Sequence, residues 1–210
     1  MRKKLILILA MLCLTTGCVC VQTASIEEIV DEILTSKVSV YNHNNEGFKY
    51  YLPSGMNVES KDEFNEIIKS DGYTYYLYVD LVRFYNEKES TFKKNEDIYY
   101  NYIFENDNKK GVINVYNEGK GIYLVYVEYN YAKIETHVKK ADINLAVTKA
   151  LLITTSVKYN KNVISNMLGE DLVTAEEEVS VFEIKDDSST VLQVDDTYYE
   201  EASYDSEVIN

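Results

Sequence analysis

The 210-residue chain carries 35 acidic and 21 basic residues, for a formal net charge of −14, and it contains twenty tyrosines but no tryptophan. Proteins hold nucleic acid and anionic lipid through clustered lysine and arginine, so a chain of this charge is expected to bind neither by electrostatic attraction. All three cysteines lie within the first twenty residues, which leaves the remainder without a disulfide framework or a cysteine-based metal site.

The N-terminal segment has the pattern of an export signal. Arg2, Lys3 and Lys4 precede ten uninterrupted apolar residues, 5–14. Ten residues of helix rise only about 15 Å, half of the roughly 30 Å hydrocarbon core. The run therefore predicts a signal peptide rather than a membrane span.

The next residues indicate where the signal is cut. Residues 14–18, LTTGC, resemble the lipobox of bacterial lipoproteins. The resemblance implies cleavage after Gly17 and a fatty acid such as palmitate on Cys18, although Thr15 stands where the family has a large aliphatic residue. Cys20 fits less well, because the preceding Val19 is not small. The alternatives are an uncleaved anchor of about 20 residues and ordinary secretion.

Composition divides the exported chain into two parts. Removal of residues 1–17 takes away three basic residues and no acid, so the mature chain has a formal charge of −17. Residues 170–210 hold fourteen acids and one base, Lys185. We expect a lipoprotein signal peptide (1–17), a lipidated linker (18–24), one α+β domain (25–169), and an acidic segment (170–210) that forms a hairpin and then a disordered tail.

The first half of the domain begins with a helix. Ser25 and Glu28 have capping-box spacing before an apolar stripe, which predicts an amphipathic helix over 25–36. Two β-prone runs then flank an Asn-rich turn and predict a hairpin that Pro53 ends. Residues 60–70, SKDEFNEIIKS, place apolar residues at helical spacing and predict a short helix.

The second half is dominated by strands. Residues 73–85, YTYYLYVDLVRFY, predict one long strand, and the runs DIYYNYIFEN, GVINVYN and GIYLVYVEYNYAKIETHV predict further strands whose short connections require antiparallel pairing. Asp142 precedes a helical apolar stripe and is expected to cap a long helix. A shorter helix is predicted near residues 162–168.

Together these elements predict an α+β fold, with a twisted antiparallel sheet of about six strands and flanking helices in an α/β/α sandwich. The stretches GFKYYLPSGM and YAKIETHV through LLITTSVKYN resemble the opening strand and the closing strand and helix of the PsbP/Mog1-like fold. That family includes diverse binding and assembly factors. The resemblance implies a fold and carries over no functional residue.

The tyrosines suggest a contact surface. Neighbouring tyrosines in a strand face opposite sides, so one ring of each pair can pack under a helix while the other meets a partner. We take Tyr76, Tyr78, Tyr100 and Tyr102 as candidate contacts for a protein or a glycan. The alternative is that tyrosine serves as the ordinary aromatic residue of half-buried strands.

Arg83 is the one arginine beyond the signal. In a regular strand Asp80 and Arg83 point to opposite faces, so no direct pair is expected. We interpret Arg83 as a structural or interface residue that could also anchor a ligand carboxylate or phosphate. His43 and His137 are expected at the surface, since neither has a metal-ligand partner at short spacing.

No GxSxG, P-loop, GxGxxG or EF-hand pattern occurs, and we predict no catalytic residue, metal or cofactor. The expected function is a non-catalytic binding or interaction module, held by lipid on the extracytoplasmic face of the cell membrane. Two alternatives are an accessory or assembly scaffold of a cell-envelope or transport complex, and a small hydrolase or transferase.

Overall fold

The computed structural model describes residue 21 and residues 23–36, 40–62 and 64–172, with side chains as far as residue 168. The signal peptide, Cys18 and the hairpin and tail of the acidic segment lie outside these residues. The helices are α1 (Ile26–Ser36), α2 (Leu81–Tyr85), α3 (Ile143–Ser156) and α4 (Lys161–Leu172). The strands are β1 (His43–Asn44), β2 (Phe48–Tyr50), β3 (Asn57–Lys61), β4 (Asn65–Ser70), β5 (Tyr73–Val79), β6 (Tyr100–Asn106), β7 (Lys109–Gly119), β8 (Ile122–Tyr129), β9 (Ala132–Lys139) and β10 (Lys158–Tyr159).

The predicted α+β class with a large antiparallel sheet is confirmed. The main sheet has seven strands in the order β3-β4-β5-β9-β8-β7-β6, where about six were expected. It consists of two meanders that meet where β5 pairs with β9. Residues 80–99 carry the chain from this central seam to the far edge at β6. A small second sheet has the order β1-β2-β10. The predicted hairpin is present as β1-β2, but β1 lies within the expected Asn-rich turn, and residues 37–39 of the predicted first run lie outside the described residues.

The short helix predicted over residues 60–70 is wrong, because these residues form β3, β4 and the turn between them. Strand β4 pairs with β3 on one side and β5 on the other, so pairing on both edges outweighs the helical spacing of its apolar residues. Asp71 and Gly72, expected to follow a helix, form the β4-β5 turn with φ of 52° and 78°. An Asp-Gly pair between β-prone runs is a hairpin signal in its own right.

Two other long β-runs are each interrupted. The strand predicted over residues 73–85 ends at Val79, where the Asp80 carboxylate accepts the Arg83 backbone N–H at 2.8 Å and caps α2. The run of residues 121–138 folds back as the β8-β9 hairpin. Its turn residues, Asn130 and Tyr131, have φ of 54° and 61°, values that end a strand.

The predicted helices α1, α3 and α4 are confirmed. Ser25 and Glu28 form the capping box, with backbone-to-side-chain distances of 2.8 and 3.2 Å. Asp142 does precede α3, but it makes no side-chain cap; its carboxylate instead accepts the Tyr73 hydroxyl at 2.7 Å. None of the helices within the described ranges is long and apolar enough to cross a membrane.

The two faces of the main sheet are covered differently. Helix α3 packs on β8 and β9, and α1 packs on α3, on what we call the helix face. The core lies there, around Tyr75, Leu77, Val125, Val127 and Ile134. The opposite face, which we call the open face, is crossed by the irregular segment 86–99. Helices α1 and α3 thus form one helical layer on the main sheet, and the second layer of the predicted α/β/α sandwich stays a prediction.

Candidate binding face

The open face presents side chains in rows that run across the strands. Residues directly opposite each other in antiparallel strands have adjacent side chains. The register defines a first row of Ile67, Tyr76, Glu135, Tyr126, Asn114 and Asn101. A second row contains Asn65, Tyr78, Lys133, Glu128, Val112 and Ile103. The face thus combines aromatic, charged and amide side chains at fixed spacing.

Tyr76 is the most prominent ring of these rows. It is 41% exposed, between the half-buried Ile67 and Glu135 on the neighbouring strands. At the other end of the same row, the Asn101 side-chain amide donates to Asn114 at 2.6 Å. The first row therefore has an accessible aromatic ring, Tyr76, near one end and a hydrogen-bonded pair of amides, Asn101 and Asn114, at the other.

A charged network holds the crossing segment against this face. Glu128 is only 9% exposed, and one of its carboxylate oxygens accepts from the Arg83 guanidinium at 3.3 Å and from the Ser90 hydroxyl at 3.0 Å. The Tyr126 hydroxyl donates to the other oxygen. Burial and the charge of Glu128 raise the pKa of Tyr126, so this hydroxyl stays a donor at neutral pH. Glu128 therefore has donors on both oxygens.

Lys133 links the two rows. Its ammonium nitrogen lies 3.3 Å from a Glu135 carboxylate oxygen and 5.7 Å from the ring centroids of both Tyr78 and Tyr126. These distances are in the range of an ion pair and of cation–π contacts. Burial raises the pKa of Tyr78 to about 12. The rings near Lys133 are thus neutral and held in place.

Arg83 and Asp80 do meet, contrary to the expectation for a strand. The Arg83 Nε lies 3.8 Å from an Asp80 carboxylate oxygen, because the strand has ended and the two residues are three apart around the first turn of α2. Burial raises the pKa of Asp80, while the Arg83 backbone N–H and guanidinium act in the opposite direction. The guanidinium also donates to Ser90 at 2.6 Å. Arg83 is thus engaged by its own chain, which favours the structural role over a ligand anchor.

Only part of the predicted contact set shares one face. Tyr76 and Tyr78 lie on the open face, and Arg83 reaches it through Glu128. Tyr100 and Tyr102 lie on the helix face, opposite Val115 and Ile113. The Tyr100 hydroxyl donates to Glu27 of α1 at 2.6 Å. The register of the β6-β7 hairpin determines that Tyr100 and Tyr102 point to the helix face, and the composition of β6 alone does not indicate it.

Sequence reasoning did not select Tyr126, Glu128, Lys133 or Glu135. Their signal was the alternation of strands β8 and β9, in which every second residue belongs to the open face. The unbroken β-run hid the turn at Asn130, and so the pairing of the two strands was not visible. A turn placed at Asn130 would have put these residues opposite one another.

Each histidine is paired with a glutamate. His43 was expected at the surface, and this prediction is wrong. Its side chain is only 19% exposed, and its Nε2 lies 3.2 Å from the buried Glu66 carboxylate. The Tyr50 hydroxyl also donates to Glu66. His137 is half exposed, with its Nε2 3.1 Å from Glu118. Among the described residues there is no group of three or more side chains placed to hold a metal ion.

Comparisons with known proteins give no family. No protein-family model matches the chain. No curated protein matches it either. A solved structure with some likeness is the crystal structure of a GTP-binding regulator from Thermotoga maritima, at 11% identity, with 65% of this chain and 93% of that chain covered and a TM-score of 0.27. A likeness at that TM-score supports no conclusion on fold or function.

Proposed function

We propose that this protein is a bacterial lipoprotein, anchored by lipid on Cys18 at the extracytoplasmic face of the cell membrane, whose domain is a non-catalytic module that binds a protein partner through the open face. We include the PsbP/Mog1-like assignment in the proposal. The succession of strand β9 and helix α3 after the antiparallel strands supports it.

The anchor is supported by the sequence alone. A basic cluster, a ten-residue apolar run and a small residue before Cys18 are the pattern that the lipobox resemblance requires. Multiple acyl chains would hold the protein stably, which one chain does not.

Metabolic labelling with a radioactive fatty acid tests the anchor. The label should enter the wild-type protein and the Cys20→Ala control, and it should be lost on Cys18→Ala. Absence of label in the wild type, or retention of label after Cys18→Ala, would rule out lipidation at this residue.

One observation carries the binding function: the open face offers an accessible tyrosine set in a rigid row that spans the six strands from β4 to β6. Tyrosine is enriched among the residues that dominate interface energies. Its neighbour Glu135 is held by an ion pair with Lys133, and Asn101 and Asn114 of the same row are hydrogen-bonded to each other, so these side chains lose little entropy on binding. The cavities near Gly47, Glu87 and Leu34 are lined by residues outside the two rows.

The chain offers a matched control for this face. Tyr76 and Tyr99 are 41% and 47% exposed, but the Tyr99 ring packs against Tyr123, a helix-face residue, with ring centroids 4.7 Å apart. Purification of the full-length protein from solubilised membranes should recover a stoichiometric partner. Tyr76→Ala should weaken the affinity of that partner at least tenfold, and Tyr99→Ala should change it less than twofold.

Other results would reassign the face. Equal losses for the two variants, or no recovered partner, would contradict a protein-binding open face. Binding on a glycan array that Tyr76→Ala removes would favour a glycan ligand instead.

A further inference from the structure

A second surface of the domain has the opposite charge character to the chain as a whole. A cleft of about 280 Å³ opens between the end of α1, the end of α3 and the β6-β7 turn. We call it the lysine cleft. Its lining residues are Ile33, Leu34, Tyr41, Asn106, Asp107, Lys109, Tyr129, Asn130, Thr155 and Lys158.

The side chain of Lys109 is held in a fixed position at this cleft. Its ammonium group donates to the Asn130 side-chain oxygen at 2.5 Å. Asn130 is 7% exposed, and its own amide donates to the Val157 carbonyl at 3.0 Å. Val157 directly precedes Lys158. A buried asparagine thus ties Lys109 to the backbone that carries the second lysine of the cleft.

A third lysine stands beside these two. Lys158 and Lys49 are directly opposite each other in the small sheet, an arrangement in which like charges repel. The Lys49 ammonium lies 4.8 Å from the ring centroid of Tyr41, which lines the cleft. Lys109 and Lys158 therefore line the cleft, and Lys49 lies next to it.

Within the described part of the chain, no carboxylate lies within 4 Å of the ammonium groups of these three lysines. Five other described lysines have such partners: Lys69, Lys94, Lys133, Lys149 and Lys161 pair with Glu59, Glu96, Glu135, Asp71 and Glu87. Acids outnumber bases by 35 to 21, so neutralising carboxylates are plentiful in this chain. Unneutralised lysines at one cleft indicate a counter-ion from beyond the described residues.

The electrostatic state of Lys109 agrees with this conclusion. Burial and the nearby charge of Lys158 lower the pKa of Lys109, and Asp107 acts in the opposite direction. Asp107 and the carboxyl end of α3 bring negative charge to the lining, but less than the three ammonium groups supply. The cleft therefore keeps a positive potential.

We propose that the lysine cleft binds the phosphate group of a small ligand. A doubly charged phosphate matches several ammonium groups better than a carboxylate, and lysine binds phosphate as a compact point charge. Tyr41 adds an aromatic ring with a hydroxyl to the lining, and Ile33 and Leu34 provide an apolar wall for the organic part. The phosphate belongs either to a soluble monoester, which carries two negative charges, or to the diester headgroup of a phospholipid, which carries one.

Calorimetric titration of the full-length chain with glycerol 3-phosphate, at constant ionic strength, tests this site. We expect saturable binding at one site. The double variant Lys109→Gln/Lys158→Gln should weaken it at least tenfold. The control variant Lys61→Gln/Lys139→Gln removes the same charge at exposed positions elsewhere and should change affinity less than twofold.

The site proposal is overturned if no saturable binding occurs, or if both double variants lose affinity equally, which would indicate diffuse screening. Should Lys109→Gln/Lys158→Gln fail to fold by circular dichroism, the exposed single variant Lys158→Gln must still weaken binding. A second titration, with glycerophosphoglycerol, distinguishes the two sources. Tighter binding of this diester assigns a lipid headgroup, and tighter binding of the monoester assigns a soluble ligand.

Discussion

The two faces of the main sheet use the same residue type in opposite ways. On the helix face, the rings of Tyr75 and Tyr129 are 1% and 5% exposed and belong to the core. On the open face, Tyr76 is 41% exposed, and the half-buried Tyr126 donates its hydroxyl to a charged network. Adjacent tyrosines in one strand thus have different roles. The role of each depends on whether its side chain points toward α1 and α3 or away from them.

The largest expected difference between the faces is in stability. Tyr75→Ala should lower the free energy of unfolding by about 3–5 kcal/mol, because it leaves a cavity in a packed core. Tyr76→Ala, one residue later on the open face, should lower it by less than about 1 kcal/mol. Urea unfolding of both variants measures this. Comparable losses would show that the open face is as tightly packed as the helix face.

A second pair of variants compares the buried glutamates of the two faces. Tyr50→Phe removes a donor from Glu66, which keeps only His43, and should cost about 1–3 kcal/mol. Tyr126→Phe removes a donor from Glu128, which keeps Arg83 and Ser90, and should cost about 0.5–1.5 kcal/mol. Thermal unfolding of the two variants gives the order. A larger loss of stability for Tyr126→Phe than for Tyr50→Phe would mean that the hydrogen bonds from Arg83 and Ser90 do not stabilise the Glu128 carboxylate.

The smallest expected effect is the pH dependence that Asp80 contributes beside the open face. Burial raises its pKa above 3.8, so the folded state binds a proton more readily than the unfolded state. The stability contribution of Asp80 therefore falls as pH rises through the interval between its unfolded and folded pKa values. Asp80→Asn keeps an acceptor for the Arg83 backbone N–H but does not titrate.

Unfolding of the wild type and Asp80→Asn should be followed from about pH 3 to about pH 7. The stability of the wild type relative to the variant should decline by less than about 1 kcal/mol over this range. A relative stability that instead rises with pH would show that Arg83 outweighs burial at this carboxyl.

The local patterns that predicted structure correctly were those whose meaning does not depend on distant residues. The capping box at Ser25 and the apolar stripe of α3 are such patterns, and both helices formed. The helix prediction for residues 60–70 was wrong because β4 is stabilised by pairing with β5, and the local spacing of apolar residues does not indicate such pairing. The Asp71-Gly72 pair is itself a hairpin signal. It was interpreted as the end of a helix, and the β4-β5 hairpin was therefore not predicted.

The candidate site was only partly predictable for a related reason. Alternation along β5 separates Tyr75 from Tyr76, but the sequence does not say which of them faces the helices. The direction of Tyr100 and Tyr102 depends on the register of β6 with β7, which the Asp107-Asn108 turn sets. The lysine cleft joins residues from five separate segments of the chain, so no local pattern contained it.

The most direct test of the proposed open-face function is photo-crosslinking in intact cells. A photoreactive phenylalanine analogue placed at Tyr76 should give one dominant crosslinked protein on illumination, whereas the same analogue at Tyr99, equally exposed but packed against a helix-face ring, should not. No crosslink at position 76, or the same crosslinked species from both positions, would contradict the proposal that the open face is the contact surface.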